Sequence, residues 1–103
     1  MLTVIERSLF QKLWPLYWSA DERGDFAAYI ALKPTAGTVI RESGGLRKVR
    51  WARPGSGKSG GVRIIYFTRT EEGEVVLLTM YAKGSTGNIP TAKLKEIRHA
   101  LEK

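Results

Sequence analysis

The fold is best indicated by residues 62–81, which read Val62-Arg63-Ile64-Ile65-Tyr66-Phe67-Thr68-Arg69-Thr70-Glu71-Glu72-Gly73-Glu74-Val75-Val76-Leu77-Leu78-Thr79-Met80-Tyr81. The two halves of this stretch, 62–68 and 75–81, are rich in the β-branched and aromatic side chains that favour strands. The short polar segment Glu71-Glu72-Gly73 separates them. The pattern therefore predicts an antiparallel hairpin.

Shorter segments before the hairpin extend this sheet. Residues 46–51 predict another strand, and the glycine-rich residues 53–60 predict a flexible loop between it and the hairpin. A β-branched run predicts a strand at residues 2–6. Residues 34–45, which contain Pro34 and three glycines, predict a loop.

Two helices are predicted between residues 8 and 33. Ser8 is a candidate cap for the first helix, and Pro15 is expected to kink or end it. Ser19 and Glu22 have the spacing of a capping box, which begins the second helix, and Pro34 stops it.

A last helix is predicted near the C-terminus, where Leu94, Ile97 and Leu101 recur at helical spacing. The predicted order is strand, two helices, three strands and helix. Helices separated from a run of strands indicate an α+β domain with helices packed on one sheet.

Positive charge concentrates on one continuous piece of the chain, residues 41–69. This piece carries eight basic residues against one acidic residue, Glu42, whereas basic and acidic residues balance elsewhere. The excess of positive over negative charges in this piece therefore equals the formal net charge of +7 of the whole chain. A basic stripe interleaved with aromatic residues is typical of proteins that bind polyanions.

The composition limits the class of protein. A length of 103 residues with 43% hydrophobic residues predicts a single globular domain over residues 1–103. The absence of cysteine excludes disulfides and favours a cytoplasmic location. No apolar run approaches the roughly 18 residues that span a bilayer, and the single histidine, His99, excludes a multi-histidine metal cluster. We expect no membrane association, no metal site and no cofactor.

Two features of the sequence suggest other chemistry, but their spacing or position does not fit a P-loop or a catalytic histidine. Gly57-Lys58-Ser59 is similar to the end of a phosphate-binding P-loop, but Ala52 stands where that motif needs a glycine. His99 lies off the apolar stripe of the last helix, which favours a solvated helix residue over a general base.

The basic residues of the predicted strands are the main functional signal. Lys48 and Arg50 lie two residues apart, so their side chains share one face of the sheet. Arg47 and Val49 point to the other face. Arg63 lies in an apolar run, where a guanidinium either pairs with an acid or faces a cleft.

Such a cluster suits cleavage of RNA, in which the 2′-hydroxyl of the substrate is the nucleophile. The protein must remove the proton of that hydroxyl, neutralise the charge that grows on the phosphate, and protonate the 5′-oxygen. Arginine binds two phosphate oxygens as a fork. A lysine crowded by other cations can transfer protons near neutrality. Neither histidine nor a carboxylate is required.

These motifs together resemble the HigB-like branch of the RelE/ParE toxin superfamily. The resemblance rests on two Gly-Gly segments and a tyrosine motif, which read Gly44-Gly45-Leu46-Arg47-Lys48-Val49-Arg50-Trp51, Gly60-Gly61-Val62-Arg63-Ile64-Ile65-Tyr66 and Tyr81-Ala82-Lys83. It implies a type II toxin that cleaves mRNA in the ribosomal A site and is held inactive by a cognate helix-turn-helix antitoxin. It also implies a RelE-like fold: a twisted antiparallel sheet with an N-terminal helix pair and a C-terminal helix.

The resemblance also implies roles for individual residues. Lys48 and Arg50 match positions for proton transfer and phosphate contact. Arg63 matches the arginine that stabilises the scissile phosphate, and Lys83 falls near the basic residue that closes the site. Contacts to RNA and the ribosome are expected from the remaining basic and aromatic candidates, which are Arg47, Arg53, Lys58, Tyr66 and Tyr81.

Two other functions stay open. The first is a DNA gyrase poison, as in the ParE half of the superfamily, although the pair Lys48 and Arg50 favours RNA. The second is a non-catalytic module that binds ribosomes or RNA. It is suggested by Gly84-Ser85-Thr86-Gly87, where relatives carry an acid and a further base.

Overall fold

In the computed structural model, which describes residues 1–51 and 61–82, two helices pack on one face of a five-stranded sheet. The helices are α1 (Ser8–Tyr17) and α2 (Ala20–Leu32). The strands, in chain order, are β1 (Thr3–Glu6), β2 (Thr38–Val39), β3 (Arg47–Trp51), β4 (Val62–Arg69) and β5 (Glu74–Ala82). Their order across the sheet is β1-β5-β4-β3-β2. The predicted α+β class is confirmed, while the predicted C-terminal helix lies outside the described residues.

The predicted hairpin forms the centre of the sheet. β4 and β5 pair antiparallel over their whole length, from Val62 opposite Ala82 to Arg69 opposite Glu74. One 3-10 turn connects them and ends at Gly73, whose φ of 69° lies in the left-handed region that glycine adopts without strain.

Both edges of the sheet differ from the sequence prediction. β1 pairs with β5 in parallel, so the sheet is mixed and only β2 to β5 are antiparallel neighbours. β2 lies inside the predicted loop 34–45 and pairs with β3. Its two residues are both exposed, and so short a strand produces no alternation of apolar and polar residues from which to predict it.

The helix ends confirm one predicted cap and correct another. Ser19 caps α2: its hydroxyl accepts from the Glu22 amide, and the Glu22 carboxylate accepts from the Ser19 amide. Ser8 does not cap α1, because it is already the first helical residue and Arg7 occupies the cap position without a side-chain hydrogen bond. Pro15 is accommodated near the end of α1, which stops two residues later.

The main core lies between the helices and the sheet and contains a row of aromatic rings in successive contact. The centroid of the Trp18 ring lies 6.0 Å from that of Phe10 and 5.2 Å from that of Phe26. The Phe26 ring in turn lies 5.4 Å from the ring of Trp51 at the end of β3. Fully burying one large apolar side chain stabilises a fold by about 1.5–3 kcal/mol. These ring contacts therefore hold both helices against β3.

Candidate functional site

A row of three side chains crosses the sheet at the centre of the site. Arg50 of β3 lies directly across from Arg63 of β4, and Arg63 lies directly across from Tyr81 of β5. Directly opposite residues of antiparallel strands share a face, with Cβ atoms about 4.5–5.5 Å apart. Lys48, two residues along β3, joins the same face. We call the surface formed by Lys48, Arg50 and Arg63 the cationic face.

The cationic face is turned away from α1 and α2. Val49, Ile64 and Met80 form the neighbouring row of the same three strands, and they are buried in the cluster that includes helix residues. Because side chains alternate along a strand, the row of Arg50 and Arg63 must point to the opposite side. The predicted shared face of Lys48 and Arg50 is confirmed, and Arg63 joins it.

A β-bulge decides which residue lies beside Arg63. The register between β4 and β5 shifts by one after Ile65, which leaves Leu78 as an extra residue on β5. Without it, the pairing that starts at the turn would set Arg63 opposite Met80 and would turn Tyr81 toward the helices. The bulge therefore brings Tyr81 to the cationic face.

Tyr81 is nearly buried at this position, with 9% of its surface exposed. Its ring belongs to a second apolar cluster, whose other buried members are Leu46, Ile65, Phe67, Val76 and Leu78. Burial raises the pKa of the Tyr81 phenol, and the charge of Arg63 acts on that pKa in the opposite direction. Arg63, directly across from Tyr81 on β4, is therefore the charge that opposes the effect of burial on this phenol.

Two residues predicted to contact RNA lie on the helix side of the sheet instead. Tyr66 is fully buried, and its hydroxyl accepts a hydrogen bond from the Gly37 amide and donates one to the Pro34 carbonyl, both at 2.8 Å. Arg47 donates to the Gly37 carbonyl at 2.7 Å. Both side chains hold the segment that joins α2 to β2. The prediction of RNA contact by Tyr66 is corrected, because this residue has no exposed surface. Arg47 is only partly buried, so its contact with RNA stays a prediction.

The other predicted site residues lie outside the part of the chain that the structure describes. Arg53, Lys58 and Lys83 lie beyond residues 1–51 and 61–82, and their roles stay predictions. Among the described residues, no group of three or more histidine, cysteine or acidic side chains is placed to hold a metal ion. In the same ranges, no helix is long and apolar enough to cross a membrane.

The fold and the cationic face define a small α+β domain with a surface suited to a polyanion. Residues 36–103 match the family model of the RelE toxin of the RelE/RelB toxin–antitoxin system. The chain therefore belongs to the RelE toxin family, which confirms the superfamily predicted from its motifs. The narrower assignment to the HigB-like branch stays a prediction. Membership of a toxin–antitoxin family implies an antitoxin partner.

Two solved structures of the E. coli toxin RelE share the fold. A double arginine-to-alanine mutant in the free state matches with a TM-score of 0.64 at 14% identity, covering 94% of this chain and 96% of that one. The isolated toxin, in its P21 form, matches with a TM-score of 0.60 at 12% identity, covering 97% of this chain and 99% of that one. At such low identity the likeness concerns the fold alone.

Proposed function

We propose that this toxin cleaves mRNA on the ribosome, as an endoribonuclease that uses the 2′-hydroxyl of its substrate. The observation that carries the proposal is the convergence of Lys48, Arg50 and Arg63 on one face of two adjacent strands. Closely spaced cations on one face of a sheet suit the phosphate backbone of single-stranded RNA. Membership of the RelE toxin family supports the same function.

The reaction exchanges one phosphate ester bond for another. A base takes the proton of the 2′-hydroxyl, and the 2′-oxygen forms a bond to the adjacent phosphorus. The bond from phosphorus to the 5′-oxygen breaks, and this leaving oxygen takes up a proton. The products are a 2′,3′-cyclic phosphate and a free 5′-hydroxyl, so no cofactor and no water enters the step.

Within this proposal, Arg63 stabilises the phosphate in the transition state. It lies in the middle of its row, between Arg50 and Tyr81, and its parallel N–H groups suit two non-bridging oxygens. Lys48 and Arg50 share charge neutralisation and proton transfer from β3. Lys83, which lies outside the described residues, is proposed to take part as well.

Mapping mRNA ends after adding the purified protein to translating ribosomes tests the proposal. We expect cuts within the A-site codon, and cutting by Arg63→Ala that is roughly 100-fold slower or more, as when one transition-state stabiliser is lost. Arg69→Ala is the matched control, because Arg69 lies on the same strand but pairs with Glu72 and Glu74 at the turn. Its rate should stay close to that of the wild type. Naked mRNA should stay intact, since the ribosome positions the substrate.

Other outcomes would point to other functions. Unimpaired translation without A-site cleavage by the wild type would overturn the proposal. Inhibition of DNA supercoiling by gyrase, without mRNA cleavage, would indicate a ParE-like poison. Ribosome binding without any cleavage would indicate the non-catalytic module. Equal loss of cleavage in Arg63→Ala and Arg69→Ala would contradict the assigned site.

We further propose that the antitoxin is a helix-turn-helix protein that places an acidic segment on the cationic face. The net charge of +7 supports an acidic partner. The affinity of the complex should fall with added salt and should fall again in Arg63→Ala. An affinity that is unchanged by added salt and unchanged in Arg63→Ala would contradict this mode of binding.

A further inference from the structure

Tyr81 completes the row on the cationic face, yet it has little surface to offer to RNA. Only 9% of the residue is exposed, and its ring packs among the apolar side chains of the second cluster. Stacking on a base requires an open ring face. Any contribution of Tyr81 to function must therefore pass through a neighbouring side chain.

Arg63 is the neighbour with the required position and charge. The two residues lie directly opposite each other in the register of β4 and β5. The charge of Arg63 also lowers the pKa of the Tyr81 phenol, against the larger effect of burial, which raises it. The register therefore places the two side chains next to each other on the same face of the sheet.

We propose that Tyr81 is a positioning residue, whose buried ring holds its hydroxyl beside Arg63 and so orients the guanidinium toward the phosphate. An arginine side chain has many rotamers, and a fixed neighbour on one side reduces their number before the substrate binds. The extra residue Leu78 is needed for this arrangement, because the bulge turns Tyr81 to the cationic face. The inference rests on the proposed function, in which Arg63 binds the scissile phosphate.

The variant Tyr81→Phe keeps the packed ring and removes the hydroxyl. We expect kcat for A-site cleavage to fall roughly tenfold, a typical coupling between neighbouring groups, with little change in KM for the ribosome. In an Arg63→Ala background the same substitution should have no further effect. Tyr66→Phe is the matched control, because it removes a buried hydroxyl from the opposite side of the sheet. Its kcat should equal that of the wild type.

A second measurement does not depend on cleavage. Nuclear spin relaxation of the Arg63 Nε–H group in the free protein reports how well the guanidinium is ordered. Its order parameter should fall in Tyr81→Phe and stay unchanged in Tyr66→Phe. An unchanged order parameter in Tyr81→Phe, or an equal loss of kcat with and without Arg63, would overturn the positioning role. An inactive wild type would refute the proposed function, and the order parameter would then decide the role of Tyr81 alone.

Discussion

Replacing Tyr66 by phenylalanine removes one oxygen atom from the buried link between the sheet and the segment after α2. That oxygen accepts from the Gly37 amide and donates to the Pro34 carbonyl, at 2.8 Å in each case. The ring stays available to fill its place in the core. The substitution therefore isolates two hydrogen bonds on the side of the sheet opposite the cationic face.

We expect Tyr66→Phe to lower the free energy of unfolding by about 2–4 kcal/mol. A buried polar group that loses its partner costs about 1–3 kcal/mol, and two groups are affected here. The Gly37 amide is buried, whereas the contact to Pro34 is only partly buried, so the total should stay below the sum of the two upper limits. Small domains have roughly 5–15 kcal/mol of stability, so the variant should stay folded at room temperature.

Urea denaturation measures this loss as a shift of the midpoint, roughly 1–3 M for a domain of this size. Cleavage of mRNA on the ribosome should be unchanged under conditions in which the variant is folded. A loss of stability below about 0.5 kcal/mol would mean that the two hydrogen bonds contribute less than a single ordinary one. If Tyr66→Phe is folded but no longer cleaves mRNA, the Tyr66 hydroxyl contributes to function, as the sequence predicts.

Three further predictions concern stability. Gly37→Ala should cost about 1–3 kcal/mol through overpacking, because an added Cβ would lie 2.8 Å from the Tyr66 ring and 2.9 Å from the Lys48 carbonyl oxygen; an unchanged melting temperature would contradict this. Ser19→Ala removes a cap of α2 and should cost about 0.5–2 kcal/mol in urea denaturation. Burial raises the pKa values of Tyr66 and Tyr81 in the folded protein. Their protonated phenols therefore stabilise the fold below the unfolded pKa of about 10, and this contribution is lost as the pH rises through the folded values. Urea denaturation at increasing alkaline pH should show that decline, and Tyr66→Phe should make it shallower.

Local sequence signals were sufficient for the elements that depend on near neighbours. The hairpin follows from two β-branched runs around Glu71-Glu72-Gly73, and the start of α2 follows from the spacing of Ser19 and Glu22. Alternation along β3 also placed Arg47 on the face opposite Lys48. In the structure the Arg47 side chain lies on that face and donates a hydrogen bond to the Gly37 carbonyl.

The pairing that builds the site could not be read from the sequence. Residues 75–81 of β5 are buried on both faces of the sheet, so no alternation of apolar and polar residues shows which side chains face the helices. The extra residue Leu78 changes the face of the sheet on which Tyr81 lies, and no residue type in the sequence indicates this bulge. Tyr66 and Tyr81 are equivalent as aromatic residues in a strand pattern. The structure separates them by face, one bonded to Gly37 and the other beside Arg63.

We propose that Arg63, at the middle of the cationic face, acts on mRNA in the ribosomal A site. The single-turnover rate of cleavage on ribosomes loaded with one defined mRNA, measured for the wild type, Arg63→Ala and Arg69→Ala, tests this role. We predict A-site cleavage by the wild type and by Arg69→Ala at similar rates, and a rate at least roughly 100-fold lower for Arg63→Ala. Cleavage by Arg63→Ala at the wild-type rate, or no cleavage by the wild type, would exclude this role of Arg63.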